Sequence, residues 1–82
     1  MLSLKTIRKY EPEMKRLKVS EVARSKRGFL TALKKVKKYN KLSPEWKQKQ
    51  RNFVARHLVQ YKKNPTYRRR LALIAWSHDP ER

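Results

Sequence analysis

The stretch from Ser43 to Asn64 constrains this chain most, because both its ends and its buried face can be read from single residues. It opens Ser43-Pro44-Glu45-Trp46. Ser43 suits the cap of a first turn, and Pro44 suits the first helical position, where no N–H is needed. Glu45 complements the positive end of the helix. Trp46, Gln50, Phe53, Val54, His57, Leu58 and Tyr61 then recur at spacings of three and four and share one face. Lys47, Lys49, Arg51, Arg56, Lys62 and Lys63 fall on the flanks and back. Asn64-Pro65 ends the run, with Asn64 expected in a left-handed cap. About twenty residues rising 1.5 Å each make a rod of 30 Å whose aromatic face needs a partner.

The other segments are short enough to be that partner. Residues 3–18 carry Leu4, Ile7 and Tyr10, then Met14 and Leu17, with Ser3 as a cap. Glu11-Pro12 is expected to interrupt them, giving one or two short helical pieces. A second helix is expected to start at Ser20 or Ser25, with Phe29, Leu30, Leu33 and Val36 on one face and Asn40 as its end. Gly28 then lies in its first turn, where it costs about 1 kcal/mol against Ala. Thr66 caps the last helix, which is apolar nearly all round through Leu71, Leu73, Ile74 and Trp76, and such helices are usually buried. Nothing alternates with a period of two, and hairpin signals are missing. The predicted fold is all-α: a single domain over 1–82, a small bundle of three main helices (20–40, 43–63 and 66–77) with a short helical segment at 1–18. Its core is predicted as Phe29, Leu33, Val36, Trp46, Phe53, Leu58, Leu71 and Ile74. Tyr10 and Tyr39 are expected to be more exposed than Trp46, Phe53, Tyr61 and Tyr67.

Charge is the second constraint, and it concerns partners more than fold. The 82 residues carry 24 Lys and Arg against 6 Asp and Glu, a formal net charge of +18. From Trp46 to His78 there is no acidic residue, so self-repulsion opposes compaction and a polyanion would relieve it. The longest apolar run, Leu71–Trp76, is far short of a membrane span. The N-terminus lacks the apolar core of a signal peptide, and the expected location is cytosolic. Cysteine is absent, so no redox compartment can be read.

Enzymatic chemistry finds little support. The acidic residues are scattered toward the ends, with no pair spaced for acid–base work or metal binding, and no cofactor is implied. His57 on the central apolar face reads as a partly buried, hydrogen-bonded histidine before it reads as a catalyst. Trp46, Phe53, Tyr61 and Tyr67 have the spacing of core residues before that of a base-stacking platform.

The basic residues are more telling by position. Cations normally favour the last turn of a helix. Here Lys26-Arg27 follow the candidate cap Ser25, and Arg68-Arg69-Arg70 follow the candidate cap Thr66. They are at the wrong end for stability and the right end for a phosphate, which would meet free amides and positive side chains together. On this reading, replacing Arg68 and Arg69 leaves stability unchanged or improved. Gly28 would let a nucleic-acid backbone approach closely. With Lys34, Lys35 and Lys38 on the polar face of the second helix and Arg51 and Arg56 on the third, the candidate nucleic-acid-binding set is complete: Lys26, Arg27, Lys34, Lys35, Lys38, Arg51, Arg56, Thr66, Arg68, Arg69 and Arg70. The bland alternative is solvated charge on a basic protein.

The order Arg51-Asn52-Phe53-Val54-Ala55-Arg56, then Pro65-Thr66-Tyr67-Arg68-Arg69-Arg70-Leu71-Ala72-Leu73, then Trp76, resembles small basic proteins of tailed phages and large DNA viruses. It departs from them where their usual Cys after Phe is Val54, and where Tyr67 intervenes between Thr66 and Arg68. The resemblance covers less than half the chain and implies a viral source and no activity. The function expected is nucleic-acid binding through the phosphate backbone, with DNA favoured over RNA. The segments joined by Asn64-Pro65-Thr66 also have the order of a helix-turn-helix. Competing classes are a ribonucleoprotein structural component, an interaction protein bound to an acidic host protein, and a membrane-surface helix protein.

Overall fold

The computed structural model describes residues 2–82, so Met1 of the expected segment 1–18 lies outside the described residues. It is all-helical, with four α-helices and no strand among the described residues. Helix α1 runs Leu4–Leu17. Ser3 caps it by accepting the Thr6 amide at 3.2 Å. Ile7 and Met14 are fully buried two turns apart, with Leu4, Tyr10 and Leu17 partly buried beside them. Pro12 does not interrupt the helix. It lies on the exposed side above exposed Arg8, where water can take the carbonyl bond that Pro12 cannot make. Lys18, left-handed at φ 55°, ends α1.

The largest departure from expectation follows. The predicted helix 20–40 is only Phe29–Val36 (α2), with Gly28 at its N-cap and not in its first turn. Residues 19–28 form turns, held by Arg24, whose guanidinium donates twice to the Val19 carbonyl at 3.3 and 3.2 Å. The chain then doubles back, and the Ala23 carbonyl accepts the Leu30 amide at 2.9 Å. Thus a backbone carbonyl, and not Ser25, satisfies an orphan amide at the start of α2. Lys37, left-handed at φ 69°, ends the helix before Asn40, which instead sits in a 3₁₀ turn at Tyr39–Lys41.

Helix α3 spans Pro44–Lys63, with Ser43 accepting the Trp46 amide at 3.3 Å. Asn64 ends it, extended at φ −148° and not left-handed, as suits a residue before proline. Helix α4 spans Tyr67–Ala75, shorter than the expected 66–77, with Thr66 accepting the Arg69 amide at 3.2 Å. Leu71, Leu73, Ile74 and Ala75 are all fully buried. Each large one is worth about 1.5–3 kcal/mol on transfer from water. α4 packs on α1 and α3.

The core therefore lies among α1, α2 and α4. Phe29, Leu33, Leu71 and Ile74 are buried as predicted, while Val36 and Trp46 only pack against the core. Phe53 and Leu58 are half-buried, and Ile7, Met14 and Leu30 take their places. The only buried residue of α3 is Gln50, whose Nε2 donates to the Trp76 carbonyl at 2.9 Å and whose Oε1 accepts from Tyr39 at 3.3 Å. The expected order of the tyrosines fails at Tyr67, which is exposed, while Tyr10, Tyr39 and Tyr61 are all half-buried. His78 is half-buried as well. Phe53 lies parallel to Trp76 at 4.5 Å, and Trp76 parallel to Phe29 at 4.7 Å, so a ring column links α3 to the core.

The two ends of the described chain are tied together. The Leu2 amide donates to the Ser77 carbonyl at 3.0 Å, and the buried Ser77 hydroxyl donates to the Leu2 carbonyl at 2.8 Å.

Candidate functional site

Between α2 and the first turn of α3 lies a groove of about 680 Å³. Its apolar lining is Ala32 and Val36 from one face of α2, Leu42 from the connection, and Trp46 from α3. Gly28 and Ser43 complete the wall. Lys26, Arg27, Lys35 and Lys41 stand around it, all exposed, and no acidic residue lines it. The turn at Lys37 and the 3₁₀ turn create the groove by reversing the chain, so that α3 begins beside α2. Trp46 meets buried Phe29 edge-on at 6.0 Å, which holds the indole in place, and Lys49 Nζ stands 5.0 Å from the indole centroid. Lys47 donates to the Asn40 carbonyl at 3.1 Å and pins α3 to the 3₁₀ turn.

Three residues of the candidate set, Lys26, Arg27 and Lys35, therefore meet at one place. They do so without the helix terminus expected for the first two, which sit in a turn before Gly28. Lys41 and Trp46 belong to the same place but were outside the set. Their signal was weak: Lys41 precedes the Ser43 cap by two residues, and Trp46 follows it by three.

The rest of the set scatters. Lys34 turns away to α1, its Nζ lying 2.9 and 3.0 Å from the two carboxylate oxygens of Glu11. Lys38 lines a separate cavity with Leu2, Leu4 and Tyr39. Arg51 and Arg56 are exposed on α3, where Arg51 donates to Gln48 at 2.9 Å. Lys49, Arg51, Arg56, Lys62 and Lys63 are all exposed along this helix, and its only acidic residue is Glu45 in the first turn.

The cluster at Arg68–Arg70 is built for the protein itself. Thr66 spends its hydroxyl on the Arg69 amide. Arg68 reaches the carbonyl of Leu17, the last residue of α1, and Arg69 reaches the carbonyl of Asn64 at the end of α3, at 3.1 Å. These charges oppose the dipole of their own helix but complement the negative ends of two others. Arg70 turns inward and forms a two-pronged pair with Asp79, at 3.1 and 3.0 Å, over the ring of Tyr10. The Asp79 side chain is 1% exposed, and the Arg70 guanidinium beside it holds its carboxyl below the usual range. Arg70 is thus a half-buried charge engaged by Asp79, where its position in the sequence predicts a free phosphate ligand. The double variant Arg68→Gln, Arg69→Gln is accordingly expected to melt a few degrees lower, contrary to the sequence expectation. Calorimetry at moderate salt reads this directly, and an unchanged or higher melting temperature would refute the two contacts as stabilising.

His57 lies flat on Phe53 at 3.9 Å. Partial burial, with the charge of Arg56, lowers its pKa and so favours the neutral imidazole. Among the described residues no group of three His, Cys, Asp or Glu is placed to hold a metal. No helix is long and apolar enough to cross a membrane among the described residues.

Comparison with protein-family models, curated proteins and solved structures gives no match in any of the three.

Proposed function

We propose that this protein binds nucleic acid through the phosphate backbone, with DNA preferred, and acts by binding alone without making or breaking bonds. The observation that carries the reading is the uncompensated charge. Among the described residues, ion pairs engage only Arg16, Lys34, Arg70 and Arg82. That leaves the exposed cations of α3 and those around the groove, Lys26, Arg27, Lys35 and Lys41, without carboxylate partners among the described residues. The whole domain measures 32 × 25 × 21 Å, so most of these charges lie within a few Debye lengths, about 8 Å each at physiological salt. A polyanion would relieve their repulsion by placing opposite charge directly beside them. Four of the six carboxylates are engaged, Glu11 with Lys34, Glu13 with Arg16, Asp79 with Arg70 and Glu81 with Tyr61, while Glu21 and Glu45 are exposed.

Two salt dependences of opposite sign test the reading. Affinity for a DNA duplex and for a single strand is expected to fall steeply with salt. Neutralising about six phosphates gives a log–log slope near −5. The melting temperature of the free protein is expected to rise over the same range as repulsion is screened. A slope near zero, or no binding at low salt, would remove the backbone reading and favour an acidic protein partner.

A further inference from the structure

We propose that the groove between α2 and the start of α3 receives one unpaired nucleotide of a single strand, with its phosphates among Lys26, Arg27, Lys35 and Lys41 and its base against Trp46 and Val36. The proposal rests on the nucleic-acid reading above and adds to it a strandedness and a place.

The groove has two chemistries in one space. A phosphate alone is served by exposed cations anywhere on this surface and has no use for an apolar lining. A purely apolar ligand has no use for four cations. An occupant that fits both carries a flat apolar face next to negative charge. An unpaired nucleotide has both within its own length: a base with a π-face, joined through a sugar to phosphates on either side. Duplex bases are stacked on one another and cannot enter. The volume, about 680 Å³, lies within the 300–1,000 Å³ of small-molecule sites and admits a single nucleotide with its flanking phosphates. Trp46, held by its edge contact with Phe29, is a rigid stacking surface at low entropic cost. An anionic lipid shares the charge, but its acyl chain needs a long apolar track, whereas the lining here is short: Ala32, Val36, Leu42 and Trp46.

The experiment compares three probes at matched salt. They are a thymidine strand of about ten nucleotides, a blunt duplex of mixed sequence, and vesicles of phosphatidylglycerol. Lys35→Gln with Lys41→Gln removes two exposed groove cations. Lys62→Gln with Lys63→Gln removes two exposed cations at the far end of α3 and serves as the charge-matched control. Ala32→Phe fills the groove without changing charge. The groove pair is expected to weaken duplex binding only as much as the control pair does but single-strand binding about tenfold more, and Ala32→Phe to weaken single-strand binding about tenfold while changing duplex binding about twofold or less. The control pair is expected to weaken both strands equally. Equal losses on strand and duplex for the groove pair would overturn the nucleotide site and leave backbone binding standing. Binding of neither nucleic acid by the unmodified protein would overturn both. Groove-dependent vesicle binding without strand binding would assign the site to a lipid headgroup. If circular dichroism shows Ala32→Phe to be unfolded, the groove pair, whose residues are exposed, decides the matter alone.

Discussion

Replacing Gly28 by alanine is expected to unfold this domain. The φ of Gly28 is −85°, which any residue adopts, so the requirement is one of space and not of dihedral freedom. A Cβ built there would lie 2.1 Å from the Val22 carbonyl oxygen and 2.3 Å from that of Ala23. Both are backbone atoms, and no rotamer change can move them. The chain would have to open the turn at 19–28 and so lose the Ala23–Leu30 hydrogen bond that satisfies the start of α2. Overpacking against side chains costs about 1–3 kcal/mol, and here the obstacle is less yielding. A domain this small has little stability to spare. Urea unfolding followed by circular dichroism should show Gly28→Ala lower by 3 kcal/mol or roughly that, if folded at all. A variant as stable as the parent would mean that the turn does not fold back on α2. The glycine read from the sequence as room for a ligand's backbone is room for the protein's own.

The second large effect is expected at Arg70. Replacing it with methionine leaves Asp79, at 1% side-chain exposure, without its two-pronged guanidinium and with only the Glu81 amide at 3.0 Å and the more distant Arg82 at 3.8 Å. Removing one partner of such a pair costs about 3–5 kcal/mol, whereas removing both costs far less. Arg70→Met is therefore expected to be less stable than Arg70→Met with Asp79→Asn. The pH dependence follows in sign. The Asp79 carboxyl titrates lower in the folded protein than unfolded, because Arg70 donates two hydrogen bonds to its charged form. Its contribution is thus fully present above the unfolded value, about 4, and is lost as pH falls toward the folded value. Urea midpoints measured from pH 7 downward should fall below about pH 4 in the parent and fall less in Asp79→Asn. Equal stability of Arg70→Met and the parent would show the pair to be incidental.

Local chemistry was legible from residue order, and long-range packing was not. Ser3, Ser43 and Thr66 each cap the helix predicted for them, because a cap depends on three or four consecutive residues. The limits of α3 followed from the same kind of signal. The segment 20–40 misled because its apolar spacing at Phe29, Leu33 and Val36 is helical, while its start is decided by the chain folding back over Gly28. Periodicity also ranked the α3 aromatics above Ile7 and Met14, although the shorter stripe on α1 is the one that α4 covers completely. At the candidate site, Lys26, Arg27 and Lys35 were found by charge, but for a reason that does not hold, since the amide they were to share is taken by Ala23. Arg68–Arg70 show why charge at a helix start is ambiguous: the dipole argument counts only the helix that bears the residue, and these side chains reach past it to Leu17, Asn64 and Asp79.

The tie between Leu2 and Ser77 sets an order of events during synthesis. The hydrogen bond joining them spans 75 residues, so it can form only after nearly the whole described chain has left the ribosome. Asp79 arrives later still, and until it does Arg70 faces an empty socket. The start of α1 is therefore tied down only once Ser77 is available. Until α4 and the residues that follow it are in place, α1 and α3 lack the element that packs on both of them.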